Sequence, residues 1–156
     1  MTTINYGTKN FTIDLWYYRV GSNGHSLSYH GGGAAFNNTA FILAIDLSNK
    51  VRFILSNGSS AICDITTTAT VPTGSWTHIA VVRNGGAVNV YVNGISSASA
   101  SIGSASVTNS INDAYVIGAR GNTIDFTMNG YVDEYRHSVD IARWTANFTP
   151  PSQPYG

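Results

Sequence analysis

The stretch Gly74–Gly94, GSWTHIAVVRNGGAVNVYVNG, decides the fold class of this chain. Its first part is rich in β-branched residues, and in its second part every other residue is valine, the period of two that characterises a β-strand. The turn sequences Asn84–Gly86 and Asn93–Gly94 follow the two parts, and glycine there accepts the positive φ of a tight turn. The stretch therefore predicts an antiparallel hairpin in a β-protein.

Similar strand-like runs, separated by turn residues, occupy most of the chain. The predicted strands outside the hairpin are Phe11–Val20, Ser26–His30, Ala40–Asp46, Val51–Ser56, Ser60–Thr66, Ala114–Ile117, Ile124–Met128 and Tyr131–His137. The Ser/Ala-rich stretch Ile95–Asn112 is predicted to be a long loop or an irregular edge strand, and Val139–Trp144 a short C-terminal helical turn. So many short strands predict one domain, residues 1–156, built as an all-β, two-sheet antiparallel β-sandwich or jelly roll, because packing two sheets buries both inner faces.

The composition narrows the range of partners. Charged residues make up only 10% of the chain, and eight basic residues balance eight acidic ones. No basic patch is present, which argues against nucleic acid and against an anionic membrane surface. A surface of Ser, Thr, Asn and Gly is typical of β-rich extracellular and virion proteins and suits contact with neutral sugars. This surface leads us to expect a virion or extracellular location, and neither a signal peptide nor a transmembrane segment is visible.

The sequence contains no motif that indicates a catalytic site. Glycoside hydrolysis usually requires two facing carboxyl groups, but the acidic residues include no pair at i, i+2. Asp133 and Glu134 are adjacent on a presumed strand and are expected to point to opposite faces. No HxH, HExxH or GxSxG motif occurs. The single cysteine, Cys63, excludes an intrachain disulfide and is predicted to be a buried, inert thiol. These observations predict a protein that is not an enzyme.

Three segments resemble the laminin-G-like jelly-roll family of the concanavalin A-like lectin/glucanase superfamily. They are FTIDLWYYRV from Phe11, the Gly74–Gly94 stretch, and NGYVDEYRHSVDIARWTANFTPP from Asn129. The ending ARWTANFTPP resembles versions found in bacteriophage tail fibres and other virion structural proteins. The resemblance implies two curved antiparallel sheets, a concave face with a rim of loops, and recognition of glycans or proteins more often than catalysis.

The resemblance also bears on metal binding. Some family members hold a structural calcium at the rim, and the family's acidic pair falls on Asp133 and Glu134, which makes Asp133 the candidate ligand. No other cofactor is expected. Calcium takes six to eight oxygen ligands, so one carboxylate does not make a site. The alternative is that Asp133 and Glu134 cap turns or pair with Arg136 and Arg120.

Aromatic and amide side chains supply the candidate ligand-binding residues. In Phe11–Val20 one alternating set is predicted to be core, and the other is a candidate concave binding face. The core set is Phe11, Ile13, Leu15 and Tyr17, and the other set is Thr12, Asp14, Trp16 and Tyr18. From the second set we select Trp16 and Tyr18, although Trp16 also matches a family position that is usually structural.

Two further pairs are candidates. Tyr91 and Asn93 point away from the valine face of the hairpin and line a groove if their own face is concave. Tyr29 and His30 lie beside a glycine triplet and are predicted loop-tip residues. Trp76, in contrast, is expected to pack in the core, and Ile141 and Trp144 are expected to clamp the terminal turn onto a sheet edge or a neighbour.

These features predict a non-catalytic recognition module, the glycan-binding adhesin domain of a phage tail fibre or similar virion protein. The alternatives are a structural virion domain that docks to other virion proteins, and a secreted carbohydrate-binding module. A glycan or a protein surface is the expected partner. Because the chain has few charges to protect its sheet edges, either a homo-oligomer or loops that cover the edges are expected.

Overall fold

The structure, a computed structural model, describes residues 4–32, 38–108, 114–121 and 126–155. In these residues the chain forms ten β-strands. They are β1 (Phe11–Arg19), β2 (His25–Gly31), β3 (Thr39–Ile45), β4 (Lys50–Ser56), β5 (Ala61–Thr70), β6 (Trp76–Asn84), β7 (Ala87–Val92), β8 (Ile95–Ser101), β9 (Ala114–Ile117) and β10 (Gly130–Val139). The predicted strands are confirmed, except that β5 runs on to Thr70 and that Ile124–Met128 is not confirmed. Part of that run lies outside the described residues, and its described end, 126–128, is not in a strand.

The ten strands form two five-stranded antiparallel sheets that pack into a sandwich, as predicted. One sheet has the order β10-β1-β6-β7-β8, and the other β5-β4-β3-β2-β9. The hairpin β6–β7 lies inside the first sheet, and the Ser/Ala-rich β8 forms its edge. The described residues contain no helix long and apolar enough to cross a membrane.

The core forms between the two sheets because alternate residues of each strand point inward. Ile13, Leu15 and Tyr17 of β1 are fully buried together with the hairpin valines, so the predicted core face of β1 is confirmed. Cys63 of β5 is also buried, and this burial raises the pKa of its thiol to about 11. At neutral pH the thiol is therefore protonated and unreactive, as expected.

The C-terminal tail, residues 140–155, adds a partial third layer over the outer face of the first sheet. Ala80, Val82 and Tyr91 form a buried cluster beneath Trp144 and Phe148 of the tail. The rings of Trp144 and Phe148 stack with their centroids 3.9 Å apart. Trp144 thus packs on the sheet face and not on an edge, while Ile141, which was expected to clamp the turn beside it, is about half exposed.

The predicted helical turn at Val139–Trp144 is wrong. Asp140 has a φ of 67°, which ends β10, and residues 141–144 have no regular structure. The Thr12 hydroxyl donates to the carbonyl of Ile141 at 2.9 Å and accepts from the backbone N–H of Arg143 at 3.0 Å. These side-chain bonds take up backbone groups that a helical turn would use, and they tie the start of the tail to β1.

Replacement of Gly94 by alanine is expected to detach the tail locally and to lower the free energy of unfolding by about 2 kcal/mol or more. Gly94 has a φ of +78°, and a Cβ there would lie 1.9 Å from the carbonyl oxygen of Phe148. Gly103→Ala is the matched control, because Gly103 has a φ of +54° but a Cβ there would meet no atom within 4 Å. Urea denaturation of both variants tests this prediction. If both lose the same free energy of unfolding, the contact between Gly94 and the tail does not contribute to stability.

Candidate functional site

Three aromatic side chains line up across the uncovered end of the outer face of the first sheet. Tyr18 of β1 pairs in register with Trp76 of β6 on one side and with Tyr131 of β10 on the other. The Tyr18 ring lies 5.5 Å from Trp76 and 6.0 Å from Tyr131. Trp76 is 44% exposed and Tyr131 is 63% exposed, which is unusual for rings of this size. We call these three residues the aromatic row.

The next row along the same face adds a second tryptophan and a carboxylate. Trp16 of β1 pairs with His78 of β6 and Asp133 of β10. The Trp16 ring meets the His78 ring edge to face at 5.2 Å, which fixes the orientation of the partly buried indole. Asp133 is exposed, so its carboxylate is available beside the indole.

A β-bulge brings a second carboxylate to the same side of the sheet. Asp14 pairs with Arg136 but Trp16 pairs with Asp133, so β10 has two residues, Glu134 and Tyr135, where β1 has one. Glu134 adopts a φ of 52° at this point. Asp133 and Glu134 consequently line the same cleft, and the expectation that they point to opposite faces is wrong because the bulge breaks the alternation.

The two rows form a continuous groove. One cleft, of about 650 Å³, lies over the aromatic row and extends to Thr73 and Gly74. A second cleft, of about 380 Å³, lies between Trp16 and the tail. Both clefts share Trp76, and we call them together the aromatic groove. The tail residues Pro151–Pro154 form one wall of the second cleft, so the tail shapes the groove as well as covering the neighbouring face.

A buried ion pair between Asp14 and Arg136 lies beside the aromatic groove. Asp14 is fully buried, and Arg136 donates to both of its carboxylate oxygens, from Nε at 3.1 Å and from Nη2 at 2.9 Å. Burial by itself would raise the pKa of Asp14, but the polar groups of His78, Arg136 and Tyr155 around the carboxylate outweigh it and hold the pKa below its ordinary value. Asp14 is therefore an anion that fixes its neighbours and does not reach a ligand.

Tyr155 connects the end of the tail to residues of β6 and β10 around Asp14. Its hydroxyl lies 2.9 Å from Nε2 of His78, and its backbone N–H donates to Oε2 of Glu134 at 2.6 Å. The guanidinium of Arg136 lies 3.8 Å from the centroid of its ring, a cation–π contact. The position of Pro151–Pro154 thus depends on the same residues that pair with Asp14.

The groove brings together three of the residues selected from the sequence: Trp16, Tyr18 and Asp133. Their roles in binding stay predictions. It also contains Trp76, Tyr131 and Glu134, which the sequence analysis did not select. The expectation that Trp76 packs in the core is wrong, because Trp76 is in phase with His78 and Ala80 on the outer face of β6 and remains 44% exposed. That phase was the signal that could have identified it.

The structure does not place Tyr29 and His30 at a loop tip. Both lie in β2, which continues to Gly31, and they are only 1% and 4% exposed. The Tyr29 hydroxyl bonds to the Thr39 hydroxyl at 3.1 Å, and Nδ1 of His30 bonds to the Tyr6 hydroxyl at 2.7 Å. The prediction is wrong because the strand continues into the start of the glycine triplet, so both side chains are committed to internal contacts.

Tyr91 and Asn93 lie on the expected side of the hairpin, but they do not line an open groove. Tyr91 is buried beneath the tail, with its ring 5.4 Å from Phe148. Asn93 is a turn residue with a φ of 50°, and its Oδ1 accepts the backbone N–H of His78 at 2.9 Å. The tail, which the sequence analysis did not place over this face, explains the difference for Tyr91.

Asp133 makes local contacts that match the turn-capping alternative. Its Oδ1 accepts the backbone N–H of Glu134 at 2.8 Å, at the bulge. Arg136 pairs with Asp14 and not with the acidic pair, while the guanidinium of Arg120 lies 3.9 Å from the centroid of Phe126. In the part of the chain that the structure describes, no group of three or more His, Cys, Asp or Glu side chains is arranged to hold a metal ion.

Known proteins share this architecture. A family model described as the concanavalin A-like lectin/glucanases superfamily matches residues 2–138. No curated protein matches the chain significantly. Among solved structures, the CBM40 domain of the Ruminococcus gnavus IT-sialidase bound to α2,6-sialyllactose is 19% identical, with a TM-score of 0.67 over 90% of this chain and 81% of that chain.

Two other solved structures extend the comparison. Native heptameric SAP-like pentraxin from Limulus polyphemus is 18% identical, with a TM-score of 0.62 over 96% of this chain and 69% of that chain. Domain 4 of an extracellular GH43 arabinanase from Geobacillus stearothermophilus, in complex with arabinotriose, is 20% identical, with a TM-score of 0.60 over 85% of this chain and 61% of that chain. At these identities the likeness shows a shared fold.

Proposed function

The chain belongs to the concanavalin A-like lectin/glucanases superfamily, and we propose that it is a non-catalytic glycan-binding module whose site is the aromatic groove. The observation that carries the proposal is the row of Tyr18, Trp76 and Tyr131, three neighbouring rings on one open face, with Trp16 and Asp133 beside them. Exposed rings stack against the apolar faces of sugars, and a carboxylate accepts hydrogen bonds from sugar hydroxyls. Two solved structures with this fold contain bound oligosaccharides, which supports the proposal.

The chemistry of the groove supports binding more than hydrolysis. Glu134 accepts a hydrogen bond from the backbone of Tyr155, and Asp133 accepts one from the backbone of Glu134. Both carboxylates thus bind backbone N–H groups, and both lie on the same side of the groove. Retaining and inverting glycosidases place their two carboxyl groups on either side of the scissile bond. We therefore propose that bound glycan is released unchanged.

The setting that we propose is an adhesin domain of a phage tail fibre or a similar virion protein that recognises a bacterial surface glycan. The support is the resemblance of the ending ARWTANFTPP to virion proteins, together with a surface of low charge. Weak binding by one module would be raised by several copies in an oligomer. A screen against bacterial surface polysaccharides, with calcium and with chelator, tests this setting, and loss of binding in chelator would give Asp133 a role as a calcium ligand.

Trp76→Ala is expected to lower the affinity for a bound glycan about tenfold or more, because truncation of a central tryptophan removes the largest contact surface of the groove. The thermal midpoint should change little, since the ring is 44% exposed. Leu47→Ala is the matched control: Leu47 is 83% exposed and lines a separate cleft on the other sheet. Isothermal titration calorimetry of both variants tests the site. If Leu47→Ala lowers the affinity for the glycan and Trp76→Ala does not, the binding site lies on the other sheet.

A further inference from the structure

The accessible charges that line the aromatic groove are carboxylates. Its charged lining residues are Arg19, Asp133 and Glu134. Arg19 is only 2% exposed, because its guanidinium turns inward, where Nη1 donates to the carbonyl of Val71 at 2.8 Å and Nη2 donates to Asn49. The surface that a ligand meets thus has negative charge from Asp133 and Glu134 and no accessible guanidinium from its lining residues.

The guanidinium of Arg136, which lies beside the groove, already makes contacts within the protein. Arg136 makes two hydrogen bonds to buried Asp14, and its guanidinium lies 3.8 Å from the centroid of the Tyr155 ring. Turning Arg136 toward a ligand would leave the Asp14 carboxylate without its cation in a fully buried position, which is strongly unfavourable. The positive charge of Arg136 is therefore not available to a carboxylate or sulfate on a sugar.

The groove is open on both sides of Trp76. The aromatic row and its 650 Å³ cleft lie on one side, while Trp16, Asp133 and the tail wall border the 380 Å³ cleft on the other. Because Trp76 lines both clefts, it forms part of the floor and does not close either of them. A sugar stacked on Trp76 can continue in both directions along the sheet.

We infer that the aromatic groove selects an internal segment of an uncharged polysaccharide, an inference that rests on the proposed glycan-binding function. Sugar rings stack on the indoles and phenols, and the Asp133 carboxylate accepts hydroxyl hydrogen bonds. Sugars with a carboxylate, such as uronic acids or the sialic acid of sialyllactose, are repelled by Asp133 and Glu134. Arabinotriose, the ligand of the arabinanase domain, has the uncharged chemistry that the groove fits.

Affinity electrophoresis tests the class of ligand with polysaccharides as probes. Barley β-glucan, galactomannan, dextran and arabinan are the uncharged probes, and polygalacturonate, alginate and polysialic acid are the anionic ones. At least one uncharged probe is expected to retard the protein, and the anionic probes are not. Asp133→Lys is expected to gain retardation by polygalacturonate, whereas Ser99→Lys, which adds the same cation at an exposed position of the β8 edge, is not.

Calorimetry with oligosaccharides of the retarding polysaccharide tests the internal mode of binding. The affinity should rise severalfold from the disaccharide to the hexasaccharide, because both clefts fill in turn, and reduction of the terminal sugar should not change it. Binding of an anionic probe that Trp76→Ala abolishes would overturn the uncharged class and leave the glycan-binding function intact. An affinity independent of length would overturn the internal mode. No retardation of the folded protein by any probe would overturn the proposed function itself, and this inference with it.

Discussion

Asp14→Ala is expected to lower the free energy of unfolding by about 3–5 kcal/mol, because removing one partner of a buried ion pair leaves the charge of the other, here Arg136, without its counterion. Asp14 is fully buried, and the Arg136 guanidinium that it binds is 20% exposed on its side chain. His78 and Tyr155 lose the same anion. Since Tyr155 holds the tail wall, the variant should also bind glycan less tightly, although Asp14 does not face the groove.

Asp64→Ala is the control for this experiment. Arg52 and Asp64 make a similar two-bond pair, but their side chains are 47% and 35% exposed. Removing the exposed pair is expected to cost about 1 kcal/mol or less. Urea denaturation of both variants, together with Asp14→Asn, which keeps an acceptor and removes the charge, separates burial from charge. Equal losses for Asp14→Ala and Asp64→Ala would mean that the buried pair does not organise this face.

The alternation of apolar residues was sufficient to predict the sandwich, because it identifies which side of a strand is inside. The third layer was harder to foresee. The run Ile79–Val82 is apolar on both faces, which is the pattern of a strand covered on both sides. That pattern indicates that something packs on the outer face, but not which segment does. Here the tail provides the cover, and Trp144 and Phe148 are its contact residues.

The candidate site could be predicted only in part for a related reason. Trp16 and Tyr18 share a face by the period of two, which sequence shows directly. Their meeting with Trp76 and Tyr131 depends on the register of β6 and β10 against β1, which is set by tertiary packing. The bulge at Glu134 is a further case, because a non-glycine residue at positive φ leaves no clear sequence signal.

The stability of the protein is expected to fall by about 3 kcal/mol as the pH is lowered from 6.5 to 4, because of a polar cluster inside the sandwich. His137 of β10 faces the core, where its ring stacks on Tyr6 at 5.7 Å and its Nδ1 lies 3.0 Å from the Tyr115 hydroxyl. Burial, and secondarily the nearby His30, lowers the pKa of His137 from 6.5 to about 4. Burial also lowers the pKa of His30.

The direction of this pH effect follows from the protonation of His137 in the folded and in the unfolded chain. Above pH 6.5 the His137 imidazole is neutral in both the folded and the unfolded chain, so its contribution to stability is fully present. Between pH 6.5 and 4 only the unfolded chain binds the proton, and stability is lost. The titratable groups around the ring are Tyr6, Tyr115 and His30. Burial raises the pKa of both phenols, so of these groups only the histidines titrate in this range.

Urea denaturation across this range, on the wild type and on His137→Gln, tests the assignment. The variant is expected to lose stability at neutral pH, since it disturbs the contact with Tyr115, but its free energy of unfolding should change less between pH 6.5 and 4. The contribution of Asp14 is lost mainly below pH 4, because a carboxylate whose pKa is lowered in the folded protein loses its stabilising effect as the pH falls through its ordinary value of 3.8. A pH dependence as steep in His137→Gln as in the wild type would assign the acid sensitivity to other groups and leave His137 with a packing role alone.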